Sequence, residues 1–514
     1  MKYVLLTLVF FTNIMIAQKK LLKQANIDYQ LGSFYKAKVN FEKYVSSKEL
    51  SIEDQNKLCI CKYQLSEFDE AQKCLQKIVQ TNSQYPSSVD YFLAKSFLHE
   101  NDLDSAKIHY QKYIQNLQTK NSNSELIQQI KSEYNQIVAS QKQIVSSGVH
   151  SKIKNLGRPL NTKFPEYGPI ISYDSKTLYF TSCRPEGMSL KIDESDGMFH
   201  EDIYQSNFNA TNNTWTVPYL VDNINTNEND AILSLSKDGN IMLIYRHVFD
   251  IAHGTTSGDL YISYKQNSVW SKPTDLKELN TEYLESSATI SPDNKAIIFS
   301  SNRPSGKGGR DLYISYLVDN NWSKPENISN LNTEKDEDSP FFTYDGKTMY
   351  FSSNGRGGLG GYDVYSANYN LPSNTWTNPK HITYPISTAN DDLHFSLNAT
   401  GNVVYTSFTT ESGLGHKDLF EIDFMENQLG TIPINIQING KELNLFDQKV
   451  SVYSTDFQKK FIYYTDSTGL VQACLPPSKV YFVEVNSEGY KPAYKTINLN
   501  TDQESSLINI FLVK

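Results

Sequence analysis

Apolar positions repeat with a helical period along the first part of the chain and with a strand period along the middle. Gly32, Phe34, Ala37, Phe41 and Tyr44 recur as Ser66, Phe68, Ala71, Leu75 and Ile78, and again as Asn101, Leu103, Ala106, Tyr110 and Tyr113. The alanines stand 34 and 35 residues apart. An Ala where two helix axes approach, with a large apolar residue four positions later on the same face, predicts stacked helical hairpins. Glu125 to Val145 has the polar face expected of a closing helix.

From Asn155 to Phe424 a second unit recurs five times. Its third copy runs through Leu279-Asn280-Thr281, Glu285, Ile290-Ser291-Pro292-Asp293, Ile297 to Arg303, Gly308 to Tyr313, and finally Trp322 and Pro325. Each copy predicts four strands. All four tryptophans (Trp215, Trp270, Trp322, Trp376) occupy one equivalent place, each with a proline three residues later. An Asp-apolar-aromatic triplet begins at Asp202, Asp259, Asp311, Asp363 and Asp418, at spacings of 57, 52, 52 and 55. Periods of this size, with Asp-Gly turns at Asp238 and Asp345, predict propeller blades. The fifth copy lacks its Trp strand, and Leu156 to Thr162, ahead of the first copy, resembles the end of that strand. Closing the ring through the chain's own beginning removes open sheet edges. The expected fold is therefore a five-bladed ring, with a sixth, degenerate blade as the alternative.

Gly430 to Lys514 alternates apolar and polar residues in short strands and predicts a small Ig-like β-sandwich. The expected organisation is multidomain: a segment over 1–17, a helical array with its closing helix over 18–147, an all-β propeller over 151–426 and the sandwich over 430–514.

Composition adds three constraints. With 34 Tyr and 25 Phe the chain favours sheet. A net charge of −9 and no basic run argue against nucleic-acid partners. Lys2, the apolar stretch Val4 to Phe11 and Ala17 have the layout of a cleavable secretory signal, and no later stretch is apolar enough to span a membrane. The mature chain is expected to be exported. Five scattered cysteines (Cys59, Cys61, Cys74, Cys183, Cys474) predict no disulfide framework, and Cys59 and Cys61 point to different helix faces, so no metal pair is expected.

The helical units resemble tetratricopeptide repeats, and the middle units resemble the WD-type repeats of TolB-like propellers over roughly 270 residues. In the last segment, Asp466 to Gly469, Pro476-Pro477 and Glu488-Gly489-Tyr490 resemble the carboxypeptidase-regulatory-like sandwich, whose name implies no peptidase activity. In this order the three modules resemble OmpA-family envelope proteins of Bacteroidetes, including those attached to type IX secretion and gliding machinery. The resemblance implies a non-enzymatic scaffold with envelope or secretion-system partners at the helical groove and the propeller face. Those relatives usually continue into a peptidoglycan-binding domain, and this chain ends at Lys514 without one, so direct peptidoglycan binding is not expected.

Candidate chemistry is sparse. Gly355, Gly357 and Gly360 spell G-x-G-x-x-G, but between two strands the string is a hairpin loop rather than a nucleotide site. No H-E-x-x-H and no G-x-S-x-G occurs, and no catalytic residue, metal or cofactor is expected. One set stands out from the register. A carboxylate follows each Asn-Thr or equivalent pair: Glu166, Asp230, Glu285, Glu337 and Asp392. Arg184, Arg246, Arg303 and Arg356 lie in the loops after the second strands, on the same face. This face either presents an acidic ring as a docking surface, or each acid pairs with an arginine or a backbone amide to fix neighbouring blades. The rival to the scaffold is a propeller enzyme or binding protein acting on glycans or peptides, its acids converging in the central funnel.

Overall fold

The computed structural model describes residues 18–513 except 47, 101, 121–123, 148–152, 194–195, 251–254, 371–374, 410–412, 416, 424–431, 441–447, 455–459, 466–467, 476–479, 488 and 499–507. The expected signal segment, the Asp466-Ser467 and Pro476-Pro477 bends and Glu488 lie outside the described residues. Seven helices come first: α1 over 18–30, α2 Phe34–Val45, α3 Ile52–Gln64, α4 Phe68–Thr81, α5 Ser88–His99, α6 Leu103–Thr119 and α7 Ser124–Ser147. Ala37, Ala71 and Ala106 are fully buried, as their repeat position requires. Gly32 and Ser66, equivalent in the repeat, both adopt left-handed backbone (φ 74° and 60°), which turns the chain sharply into α2 and α4. Ile130 and Ile137 of α7 join the core of α5 and α6. Cys59 of α3 and Cys74 of α4 form a disulfide with a Cα–Cα distance of 5.6 Å. The scattered cysteines predict no disulfide framework; this bond joins two adjacent helices, and the packing of α3 on α4 brings its cysteines together.

The middle of the chain forms five antiparallel sheets among the described residues. Their inner strands are Glu166–Ile171, Asp230–Leu235, Glu285–Ile290, Glu337–Phe342 and Ser396–Leu397. The third strand of each sheet begins at its triplet aspartate or, in sheet 2, contains it. In sheets 1 to 4 the outer strand is split rather than continuous. In sheet 3, for example, Asn321–Trp322 and Glu326–Asn327 both pair with Asp311–Val318. The proline three residues after each Trp explains the split, because a residue with no N–H is tolerated at a sheet edge. Sheet 5 takes Ile153–Asn155 as its outer strand, in register Ile153 with Ile422. The segment ahead of sheet 1 thus completes the last sheet, with a strand that ends immediately before Leu156 instead of lying in Leu156 to Thr162.

Apolar cores lie between the sheets. Ile170 and Ile232 share one cluster, Leu243 and Phe299 the next, Ile298 and Phe351 the third, Tyr350 and Phe395 the fourth. The fifth joins Tyr405 and Leu419 back to Phe180 of sheet 1. The two recurring motifs of the sequence are bonded to one another across this cycle. Asn332 accepts the Leu312 amide (2.8 Å) and donates to the Leu312 carbonyl (3.0 Å), Leu312 being the middle residue of its triplet. Asn161, Asn225 and Asn280 hold Leu419, Ile203 and Leu260 in the same way. At the fourth junction Ser387 accepts the Val364 amide. The loop into each sheet is therefore pinned to the third strand of the sheet before it.

The last segment has two sheets of three and four strands around one core that includes Val450, Val452 and Val483. Replacing Asn332, 2% exposed, by Ala leaves the buried Leu312 amide without its partner. We expect Asn332→Ala to lower unfolding stability by about 2 kcal/mol in denaturant titration; a loss below about 0.5 kcal/mol would contradict the pinning role.

Candidate functional site

The register set lies inside the wall rather than on a docking face. Glu166, Asp230, Glu285 and Glu337 are fully buried and Asp392 is 6% exposed. Each accepts the amide and the hydroxyl of the threonine four residues earlier, as Glu285 does from Thr281 (3.0 and 2.9 Å). Arg184, Arg246 and Arg303 pair with Glu166, Asp230 and Glu285 at 3.0, 2.6 and 2.9 Å. Arg356 donates to the Leu331 carbonyl, with Glu337 as a nearby anion. The guanidinium carbons of Arg184, Arg246 and Arg303 stack over the aromatic of their own triplet, at 4.7 Å over Tyr204, 4.6 Å over Tyr261 and 5.1 Å over Tyr313. Asp392 has no arginine, and burial pushes its carboxyl well above the usual carboxylate range. With their oxygens committed and enclosed, these acids fix the junctions between sheets, and a ligand cannot reach them. The G-x-G-x-x-G string is a hairpin loop as expected, its Leu359 and Gly360 amides donating to Asp363.

One residue before each triplet aspartate stand Glu201, Gly258, Arg310, Tyr362 and Lys417; Gly258 and Tyr362 are buried, whereas Glu201 and Lys417 border open space. Arg310 pairs with Asp338 (2.6 Å) and donates to the Tyr362 hydroxyl (2.6 Å), which donates to Asp336 (2.9 Å). Glu201 and Lys417 line a cavity of about 580 Å³ between the sheet loops and the helices. Leu65, Phe68 and His99 of the helical array line its other side. His99 stacks on Phe68 with ring centroids 3.6 Å apart, and its Nε2 lies 3.1 Å from the Tyr63 hydroxyl. The array is held over the loops by the Asn390 amide on the Leu98 carbonyl (3.3 Å), by Gln136 on the Gly360 carbonyl and by Ala389 in the helical core. Helices and sheet loops thus face each other here, where the sequence reading had treated them as two separate partner surfaces.

Burial shifts the ionisable groups of the cavity. It raises the Glu201 carboxyl, against the hydrogen bond from Tyr167 that stabilises the carboxylate. It lowers the Lys417 ammonium, against the attraction of Asp391, Glu201 and Asp392. It lowers His394 to about 4, helped by the charge of Lys417, and His99 to about 3. Asp391 accepts the Tyr362 amide (2.9 Å), which fixes its carboxylate at the rim.

No family model matches this sequence, and the search of curated proteins finds no match. Solved structures similar to it include an α-L-arabinofuranosidase from Lactobacillus brevis (TM-score 0.32, 12% identity, 52% of this chain and 91% of that one). A periplasmic gluconolactonase from Pseudomonas aeruginosa is similar at TM-score 0.27 and 11% identity, over 68% of this chain and 88% of that one. The β-propeller domain of the Trilobed protease from Pyrococcus furiosus is similar at TM-score 0.24 and 9% identity, over 66% and 83%. The middle of this chain is propeller-like. The expectation of a chain without enzymatic activity is withdrawn: similar solved structures include enzymes, and likeness at this level assigns this chain neither an activity nor the lack of one. No local sequence signature marks this cavity, because its shifted groups come from the first repeat (Glu201), the fifth (His394, Lys417) and the helices (His99). For Glu201 and Lys417 the signal is the position before the triplet aspartate, which changes residue in every copy while the Asp-apolar-aromatic pattern is kept; no repeat position marks His99 or His394.

A histidine whose folded pKa is depressed binds its proton later than in the unfolded chain, so it removes stability as pH falls from about 6.5 toward 4. The His394 ring is expected to titrate near pH 4 in side-chain NMR; a midpoint near 6.5 would mean that the cavity is open to bulk water.

Proposed function

We propose that this chain is an exported envelope protein whose tetratricopeptide-like array and five-bladed propeller together bind a short peptide or glycan in the cavity between them. The carboxypeptidase-regulatory-like sandwich is an appended module in this reading. The cavity carries the proposal. It lies within the usual range for ligand sites, about 300–1,000 Å³, and combines apolar and aromatic side chains (Leu65, Phe68, Phe408) with convergent ionisable ones (Glu201, Asp391, Lys417). The five pinned junctions and the strand Ile153–Asn155 support a five-bladed ring. The Cys59–Cys74 disulfide supports an oxidising compartment such as the periplasm, and attachment to outer-membrane partners follows from the module order.

A panel of short peptides and oligosaccharides tests the reading by thermal shift. A bound ligand at about 100 times its Kd stabilises the fold by about 2.7 kcal/mol. Met198 lines the cavity, and Met198→Trp, which fills it, is expected to abolish the shift of every hit. A panel with no hit, or hits that Met198→Trp leaves intact, would contradict the proposal.

A further inference from the structure

We infer that the occupant of the cavity is a basic peptide segment, bound in an extended trough whose acidic groups outnumber its basic ones. This rests on the peptide-or-glycan reading above and chooses within it. The cavity opens onto a second cleft of about 250 Å³, and the two share Ser66, Phe68, His99 and Thr409. Together they form one continuous trough along the seam between helices and sheet loops, a shape suited to a chain rather than to a single compact molecule.

The charge of the trough is one-sided. In the cavity, Asp196, Glu201 and Asp391 stand against one ammonium, Lys417, with burial raising the Asp196 and Glu201 carboxyls and lowering the ammonium. In the cleft, four carboxylates (Glu67, Asp69, Glu70, Glu100) stand against Lys163 of the lining; Lys38 pairs with Glu67, Lys73 with Asp69, and Glu100 accepts from Gln72. The two histidines add no positive charge near neutral pH, because burial holds both in the neutral form. A cation entering this partly desolvated space gains more from each carboxylate than it would in water. An anion meets the opposite field.

Apolar groups select a peptide over a polyamine or a sugar. Leu65, Pro165, Met198 and Phe408 offer surface to an apolar side chain, and the stacked Phe68 and His99 rings offer a face to an ammonium or guanidinium. The structure thus fits a segment that alternates basic and apolar residues. Asp391, fixed by the Tyr362 amide, is the anchor for its cation.

Calorimetric titration of the full chain with three probes tests this: Lys-Phe-Lys, Glu-Phe-Glu and maltotriose. Lys-Phe-Lys alone is expected to bind, with affinity falling on going from about 0.03 M to about 0.3 M salt as screening tightens. Asp391→Asn, which keeps an acceptor for the Tyr362 amide, is expected to weaken it about tenfold, or about 1.4 kcal/mol. Binding of maltotriose or Glu-Phe-Glu in place of Lys-Phe-Lys would overturn the basic-peptide assignment and leave the cavity reading standing. Binding of none of the three would count against both. Lys-Phe-Lys binding that neither salt nor Asp391→Asn affects would place the peptide elsewhere and equally overturn the assignment. Should Asp391→Asn lower the melting temperature, the salt dependence and the Glu-Phe-Glu comparison on the unaltered chain decide.

Discussion

A buried carboxylate cannot stand alone in a protein interior, and the middle of this chain is organised around that constraint. Each of the five inner strands begins beside an enclosed acid that must be given donors. The threonine four residues earlier supplies two of them, which fixes the turn before the strand. In sheets 1 and 3 an arginine after the second strand, and in sheet 2 Arg246 within that strand rather than in the expected loop, supplies the countercharge and packs on the triplet aromatic. The residue before that threonine then bonds the previous sheet. One local requirement, met five times, sets both the conformation of each junction and its attachment to a neighbour.

That arrangement leaves the position before the triplet aspartate variable. The triplet is bound by loop amides and by the Asn or Ser latch, so its sequence is constrained by structure. The preceding residue differs in every repeat, Glu201, Gly258, Arg310, Tyr362 and Lys417, and of these Glu201 and Lys417 line the cavity. A repeated framework holding a variable position near a shared opening is a natural place for specificity. The helical array adds Phe68 and His99 from the other side, so neither part of the chain completes the cavity alone.

Much of this was legible in sequence because repetition is itself a signal. The alanines at 34- and 35-residue spacing marked the helical contacts, and the triplets and tryptophans marked the sheets. The completion of the last sheet by the chain's beginning was also readable, because the fifth repeat is short by one strand. The acids of the register were found but bore two readings, and a sequence cannot say whether a carboxylate faces water or a threonine amide. The cavity was not legible. Its members, such as His99 and Lys417, come from segments hundreds of residues apart, brought together by the docking of Asn390, Ala389 and Gly360 on the helices. The Cys59–Cys74 bond escaped for the same reason on a smaller scale, since pairing depends on how α3 meets α4.

The account depends on the junctions forming one closed cycle, in which the latch between Asn161 and Leu419 is equivalent to the internal ones. Native-state hydrogen exchange measures this directly. The side-chain-bonded amides of Ile203, Leu260, Leu312, Val364 and Leu419 are predicted to exchange together, in the slowest class of the middle region. Fast exchange at Leu419 with slow exchange at the other four would show an open arc and contradict the account.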